Sequence, residues 1–419
     1  MNKKIGNIFK GDKVIWMVFF FLCLISVVEV FSASSSLTYK NESYWGPALY
    51  HGRILILGVI VMIFVVNIPC KYFKIVTPFL LVFSIITLFW VLVAGTATND
   101  ASRWVSFLGI QFQPSEIAKG TLILAVAQIL SAMQTDNGAD KHTMKYILIT
   151  SAPIIVLIVV ENFSTAALLG MVVLIMMIIG RVPMVQIGKL MGVVMLVVVV
   201  FIGVILLLGK NDEGENAETK QQMTEQVESN EKPSSVERIF HRFGTWKGRI
   251  LSFFDSKEVP PEEFDLDKNS QVGHSNIAIA TSNIIGKGPG NSVERDFLPQ
   301  AFSDFIYAII IEEMGIVGGA FVAILYIILL FRTGRIANRC ENNFPAFLAM
   351  GLALLLVSQA LFNMLVAVGL APVTGQPLPL ISKGGTSSII NCIYIGVILS
   401  ISRSAKKKDF RTKEVKTSE

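Results

Sequence analysis

Val14–Phe31 reads VIWMVFFFLCLISVVEVF, and Ile54–Ile68 reads ILILGVIVMIFVVNI. A water-soluble core has no need of apolar runs this long. A helix needs roughly 20 predominantly apolar residues to cross the hydrocarbon of a bilayer. Working outward from these two blocks, apolar segments recur at 14–33, 48–68, 74–95, 114–133, 145–160, 165–181, 187–209, 301–331, 344–370 and 385–403. Composition agrees. The 419 residues are 53% hydrophobic and only 16% charged, and mean hydropathy is +0.60. A soluble domain is about one quarter charged. The expected fold is therefore all-α, a polytopic membrane protein of about ten transmembrane helices. More spans follow the first block, so it is read as a retained helix and not as a cleaved signal peptide. Cys23, Cys70, Cys340 and Cys392 show neither a disulfide framework nor metal-ligand spacing.

Charge gives the expected orientation. Lys3, Lys4, Lys10 and Lys13 precede the first segment, and Lys71, Lys74, Lys141, Lys145, Arg181 and Lys189 follow at alternate connections. Arg332, Arg335, Arg339, Arg403 and Lys406–Lys408 continue the series, whereas the opposite short loops hold chiefly Lys40 and Arg103. Cations collect on the cytoplasmic side. Both termini are thus expected in the cytoplasm, with 1–13 as an N-terminal segment and 404–419 as a basic tail. The membrane domain spans 14–403 and contains a large extracytoplasmic loop, 210–300. Within that loop Asn211–Ser235 is too polar to bury a core. The stretch Phe240–Phe254 is amphipathic and suits the membrane interface.

Three polar clusters interrupt the apolar segments, all on the expected outer side. The first is Arg103-Trp104 followed by Gln113-Pro114-Ser115-Glu116-x-x-Lys119. Glu116 and Lys119 are three apart and share a helical face, although an anchoring ion pair at a span end has the same pattern. The second is Leu298-Pro299-Gln300-Ala301-Phe302-Ser303-Asp304-Phe305-Ile306 with Glu312-Glu313. Here Asp304 is expected about one turn inside the eighth span, with Glu312 deeper on the same face. Carboxylates at depth are costly and face a cavity or a partner. The third is Pro372-Val373-Thr374-Gly375-Gln376-Pro377-Leu378-Pro379 with Ser382-Lys383-Gly384-Gly385-Thr386-Ser387-Ser388. Broken backbone at membrane depth needs protein or water around it, so a re-entrant or cavity-lining loop is expected. Gly286-Lys287-Gly288-Pro289-Gly290 lacks the spacing of a nucleotide loop and reads as a flexible turn.

Together these stretches resemble the shape, elongation, division and sporulation family, membrane glycosyltransferases of bacterial cell-wall synthesis. The resemblance runs from about Val14 to Arg403 and adds Gly286-x-Gly288-x-Gly290 to the motifs above. Arg249-Ile250-Leu251-Ser252-Phe253 resembles the division branch more than the elongation branch. The chain departs from the pattern in places. Gln300 stands where the family commonly has Glu, Phe302-Ser303 where it has His-Thr, and Lys383 where it often has Tyr. Glu161-Asn162-Phe163-Ser164-Thr165 stands where Pro-Asp-x-Gly-Thr is usual.

What the resemblance implies is polymerisation of lipid II in the bacterial inner membrane. Asp304 would be the catalytic base. Arg103, Lys119 and Arg249 would meet the pyrophosphate, with Lys383 and Lys287 as weaker candidates. Trp104, Glu116 and Ser387 complete the expected substrate-binding set. A divalent cation, Mg or Mn, would suit the same charge, although no metal-ligand spacing declares one. The implied partners are lipid II, a class B penicillin-binding protein and other division proteins, with no nucleic acid. An elongation polymerase and a lipid II flippase are the competing readings, because intramembrane carboxylates and broken helices also suit transport.

Overall fold

The computed structural model describes residues 10–34, 46–94, 96–98, 101–107, 110–208, 270–298 and 301–417. Lys40, Pro299, Gln300, Arg249, the polar stretch Asn211–Ser235 and the amphipathic stretch Phe240–Phe254 lie outside them. The helices in chain order are α1 (Lys13–Ala33), α2 (Gly46–Val66), α3 (Cys70–Ala94), α4 (Pro114–Ala132), α5 (Thr143–Glu161), α6 (Phe163–Ile179) and α7 (Met184–Leu208). They continue with α8 (Ser270–Ala280), α9 (Ile306–Ala337), α10 (Asn343–Ala367) and α11 (Thr386–Thr417). Eight are long and apolar enough to cross a membrane, and α6 and the first part of α7 are shorter apolar helices. These ten match the ten segments read from the sequence. The chain is a polytopic helical membrane protein.

It divides into two units, Met1–Met184 with Asp265–Glu419, and Val185–Phe264. In the first unit α9 packs on α1 and α10, α4 lies against α3 and α10, and α11 pairs with α2. Wide apolar faces on α3 and α9 remain exposed, Phe79, Ile86, Phe89, Ile327 and Phe331 among them, as lipid-facing helices require.

Local chemistry sets the helix ends. Asp12 caps α1, accepting from Val14 N–H at 2.9 Å, because the first N–H groups of a helix lack intrahelical partners. Pro114 opens α4, where its missing N–H costs nothing. Asn162 ends α5 in extended conformation and caps α6 through Ser164 N–H and Thr165 N–H. The all-α expectation holds apart from two small sheets. β1 (Thr96–Thr98), β2 (Ala101–Phe107) and β3 (Ile110–Phe112) form an antiparallel meander between α3 and α4, and β4 (Gln134–Thr135) pairs with β5 (Gly138–Ala139). The meander carries Arg103 and Trp104 on its middle strand.

Gly315 has φ 73°, ψ −178° inside α9 and divides it. A Cβ there would sit 2.2 Å from the Ile284 carbonyl oxygen, and one on Gly286 would sit 2.3 Å from the Glu313 carbonyl oxygen. The chain before α9 therefore lies backbone on backbone against the kink.

Candidate active site

α4, α9 and α11 begin, and α1 and α10 end, at one end of the first unit, and the polar clusters meet there. In α4, Lys119 donates to Glu116 at 2.8 Å and to the Gln359 side-chain oxygen of α10 at 2.9 Å. The pair has side-chain exposures of only 1% for Lys119 and 4% for Glu116, so it is an interior brace and not an interfacial anchor. Tyr394 of α11 donates to the Glu116 carbonyl at 2.6 Å.

One turn along α10, Asn363 uses its amide NH₂ to reach two carbonyls, Asp304 and Gln376, each at 2.7 Å. The Gln359 NH₂ reaches the Pro377 carbonyl at 3.1 Å. Two amides four residues apart on one helical face thus join three pieces: the α4 ion pair, the Asp304 turn and the loop between α10 and α11. Gln376 extends the join by donating to Thr165 of α6. Sequence reasoning missed Gln359 and Asn363. Their signal was present, since two amides inside the apolar run of α10 need partners.

Asp304 is 8% exposed. It lies in the turn Ala301–Phe305, ahead of α9, and so not one turn inside the span as expected from the apolar count. The reason is tertiary. The Phe302, Ser303 and Asp304 carbonyls accept from Lys383 N–H at 3.0 Å, the Ser382 hydroxyl at 2.5 Å and Asn363. These donors take the place of the helical i+4 N–H groups. The loop Gly369–Gly385 is irregular and its middle is buried, with Leu378, Leu380 and Ile381 at most 2% exposed, so this part is no surface turn. Lys383 stands over the Phe302 ring, 4.8 Å from its centroid. Burial pushes its ammonium below the ordinary lysine value. Ser387 is buried in the first turn of α11.

The glycine stretch is ordered, contrary to the flexible turn expected. Glu312 and Glu313 hold it. Lys287 pairs with Glu312 at 2.6 Å, and Glu312 also accepts from the Ser292 hydroxyl at 2.5 Å and Val293 N–H at 3.0 Å. Glu313 accepts from Gly290 N–H at 2.9 Å, Ser292 N–H at 3.2 Å and the Ser32 hydroxyl of α1. The two acids thus anchor a loop instead of lining the site, and Lys287 is committed to that anchor. Neighbouring α8 contributes His274, 2.6 Å from Glu294 and stacked on Phe297.

The structure brings together Asp304, Glu116, Lys119, Lys383 and Ser387 through α10 and the loop it holds. Arg103 and Trp104 are placed by backbone on β2, which packs against α4. Among the described residues, no cluster of three or more His, Cys, Asp or Glu could hold a metal ion. Among the described residues, the protein donors therefore do not form a dedicated divalent-cation site.

The model of the FtsW/RodA/SpoVE family, described as cell cycle protein, matches residues 12–225 and 233–407. The chain belongs to this family. A relative from Geobacter sp. (strain M18), named probable peptidoglycan glycosyltransferase FtsW, is 30% identical over 400 residues, covering 93% of this chain and 96% of the relative. The peptidoglycan glycosyltransferase MrdB of Escherichia coli (strain K12) is 26% identical over 392 residues, 93% of each chain. A solved chain from a peptidoglycan synthase complex, titled for its coordination of polymerization and crosslinking, superposes with TM-score 0.68 at 22% identity, covering 94% of this chain and 98% of that one. The rod shape determining protein RodA of Thermus thermophilus gives TM-score 0.60 at 20% identity over 94% of this chain and 97% of its own. These two likenesses show the family's fold.

Proposed function

We propose that this family member is a peptidoglycan glycosyltransferase that polymerises lipid II, in the septal cell wall during division. The observation that carries the reading is the convergence on α10 of the Asp304 turn, the Glu116–Lys119 pair and the loop bearing Lys383. Glycosyl transfer from a polyprenyl pyrophosphate needs a base at the acceptor hydroxyl and positive charge at the leaving group. Asp304 takes the proton from the acceptor sugar's 4-hydroxyl. That oxygen bonds to the donor's anomeric carbon, the bond from that carbon to the pyrophosphate oxygen breaks, and undecaprenyl pyrophosphate leaves with the electron pair. Lys383, partly exposed beside the Asp304 turn, is the cation best placed for the pyrophosphate. Arg103 and Arg249 supply further charge. Lys119 is sealed against Glu116 and Gln359 and serves as a brace. No step is routed through a metal.

The charge asymmetry supports an inner-membrane chain with both termini and the basic tail in the cytoplasm, the loop 210–300 outside and the site on the outer face. Crosslinking then falls to a partner, a class B penicillin-binding protein, among other division proteins. The FtsW name of the Geobacter relative favours the division role over elongation.

The test is polymerisation of lipid II by the purified chain with a transpeptidase partner. Wild type yields glycan polymer and Asp304→Asn yields none at full folding. Equal polymer from the variant removes Asp304 as the base.

A further inference from the structure

His51 of α2 is 1% exposed and plays no part in the chemistry above. Its Nε2 lies 2.8 Å from the Ser26 hydroxyl of α1, and that hydroxyl donates to the Ile381 carbonyl at 2.7 Å. A serine hydroxyl has one proton to give. With that proton on Ile381, Ser26 can only accept from His51, so Nε2 carries the imidazole hydrogen. Nδ1 is then a bare acceptor, and among the described residues it has no hydrogen-bond partner.

The Ile381 carbonyl is a sensitive place to hold. Leu380 just before it adopts φ 68°, the left-handed region that a branched side chain avoids. Such strain persists only where the surroundings over-determine it. Tyr326 donates to the Pro379 carbonyl on one side of Leu380 and Ser26 to Ile381 on the other. The next two residues are the ones that grip the catalytic turn, Ser382 through the Ser303 carbonyl and Lys383 through the Phe302 carbonyl. A shift at Ile381 therefore passes directly to the residues preceding Asp304 and to the Lys383 ammonium.

A serine in the interior of a helix has an alternative partner, the carbonyl four residues back. For Ser26 that is Leu22. Occupying the serine's acceptor side with an N–H leaves its proton to point outward, at the loop. We propose that His51 is a positioning residue for glycosyl transfer, orienting the Ser26 hydroxyl so that it fixes the loop that carries Lys383 and backs the Asp304 turn. The inference rests on the transferase reading.

The experiment measures lipid II polymerisation by the full chain with its transpeptidase partner, alongside ¹⁵N spectra of histidine-labelled protein, which has four histidines. Misplacement of about 1 Å costs on the order of a hundredfold in rate. Ser26→Ala and His51→Ala are expected to lower kcat by about ten- to a hundredfold, with KM for lipid II within about twofold. His51→Gln, whose amide N–H reaches the place of Nε2, keeps most of the rate, and the Ser26→Ala/His51→Ala double variant is no slower than Ser26→Ala. The wild-type spectrum includes an unprotonated Nδ1 signal that disappears in His51→Gln and moves in Ser26→Ala. The proposal is overturned by full kcat in either alanine variant, by folded His51→Gln as slow as His51→Ala, by additive losses, or by a proton on Nδ1. If His51→Ala does not fold, Ser26→Ala and His51→Gln decide alone. Polymer from wild type with none from Asp304→Asn confirms the reaction independently. Absence of polymer from wild type sinks the transferase reading, while the tautomer still tests the geometry.

Discussion

Replacing Lys119 by Met separates a brace from a substrate contact. Lys119 is among the largest fully buried side chains, and Glu116 beside it is 3% exposed. The substitution keeps the apolar stem and removes the ammonium. Glu116 is then a buried carboxylate without its cation, and the Gln359 oxygen loses its donor. Removing one partner of a buried pair costs about 3–5 kcal/mol. At 1.4 kcal/mol per tenfold, that is about a hundred- to several-thousandfold in the folded ratio. Neutralising the acid as well, in Glu116→Gln/Lys119→Met, removes the stranded charge, and replacement of both members of a buried pair by neutral groups is close to neutral. The double variant is expected to recover to within about 1–2 kcal/mol of wild type. Reversible denaturant unfolding in micelles, followed by tryptophan fluorescence, measures each species. Polymer yield is read on the same samples. A double variant that regains both stability and polymer establishes the brace, whereas one that is stable but inactive makes Lys119 a pyrophosphate contact. The reasoning itself fails if Lys119→Met is as stable as wild type, or if the double variant is no better than the single.

Asp304→Asn should abolish polymer while the Asn363 hold on the turn survives, because the atom that Asn363 holds is the Asp304 backbone oxygen; turnover assays on folded protein check this. Gly286→Ala adds a Cβ 2.3 Å from the Glu313 carbonyl oxygen at φ 82°, while Gly290→Ala, at φ 84°, meets nothing within 4 Å. The second should cost only the ~1–2 kcal/mol of a left-handed alanine, and the first clearly more, read as greater protease cleavage in the 286–292 loop. At the other end of the first unit, burial raises the Asp12 carboxyl, but the Arg332 hydrogen bond and the Val14 and Ile15 N–H groups overcome this and hold it below its ordinary value. A depressed folded pKa gives stability that is present above the unfolded value, near ~3.9, and is lost as pH falls through the folded one. Asp12→Asn keeps a capping oxygen but loses the charge that faces Arg332, so it should lower stability at neutral pH by about 1 kcal/mol or less and flatten the acid limb of the stability curve.

The spans were legible because bilayer thickness imposes a length and an apolar composition that no tertiary contact has to supply. The start of α4 was legible too, from Pro114, since the first turn of a helix is a local matter. What escaped depended on partners distant in sequence. Asp304 leaves the helix because Ser382 and Lys383 take its neighbours' carbonyls and Asn363 takes its own, and nothing near Asp304 announces that. Glycines with a lysine read as flexible when the two acids that bind them stand more than twenty residues away. The site followed the same rule: each motif was visible alone, but the amides of Gln359 and Asn363 that join them lie in a helix otherwise read as plain span.

That joining bears on transport as an alternative. A flippase needs polar groups along a path between both faces. Among the described residues, the buried Asp, Glu, Lys and Arg side chains are Asp12, Glu29, Glu116, Lys119, Glu161, Glu294, Asp304, Glu312 and Glu313. All except Asp12 lie toward the end where α4 and α9 begin and α1, α5 and α10 finish. Asp12 is the exception that closes the opposite end. Its carboxylate holds Arg332 at 2.8 Å, its N–H donates to Ser402 at 2.9 Å, and Lys10 alongside reaches Asn67. Between the two ends, the Ser84 hydroxyl donates to Thr121, and Thr121 donates to the Ile117 carbonyl of its own helix. Buried charge gathered mainly at one end suits a reaction on one face with the lipid tail left in the bilayer. A path that ends beside α1 would instead meet the Asp12–Arg332 pair. If opening that pair with Asp12→Ala speeds lipid II movement across vesicles holding the purified chain, the path exists; a transferase leaves that movement at the rate of empty vesicles in both wild type and variant.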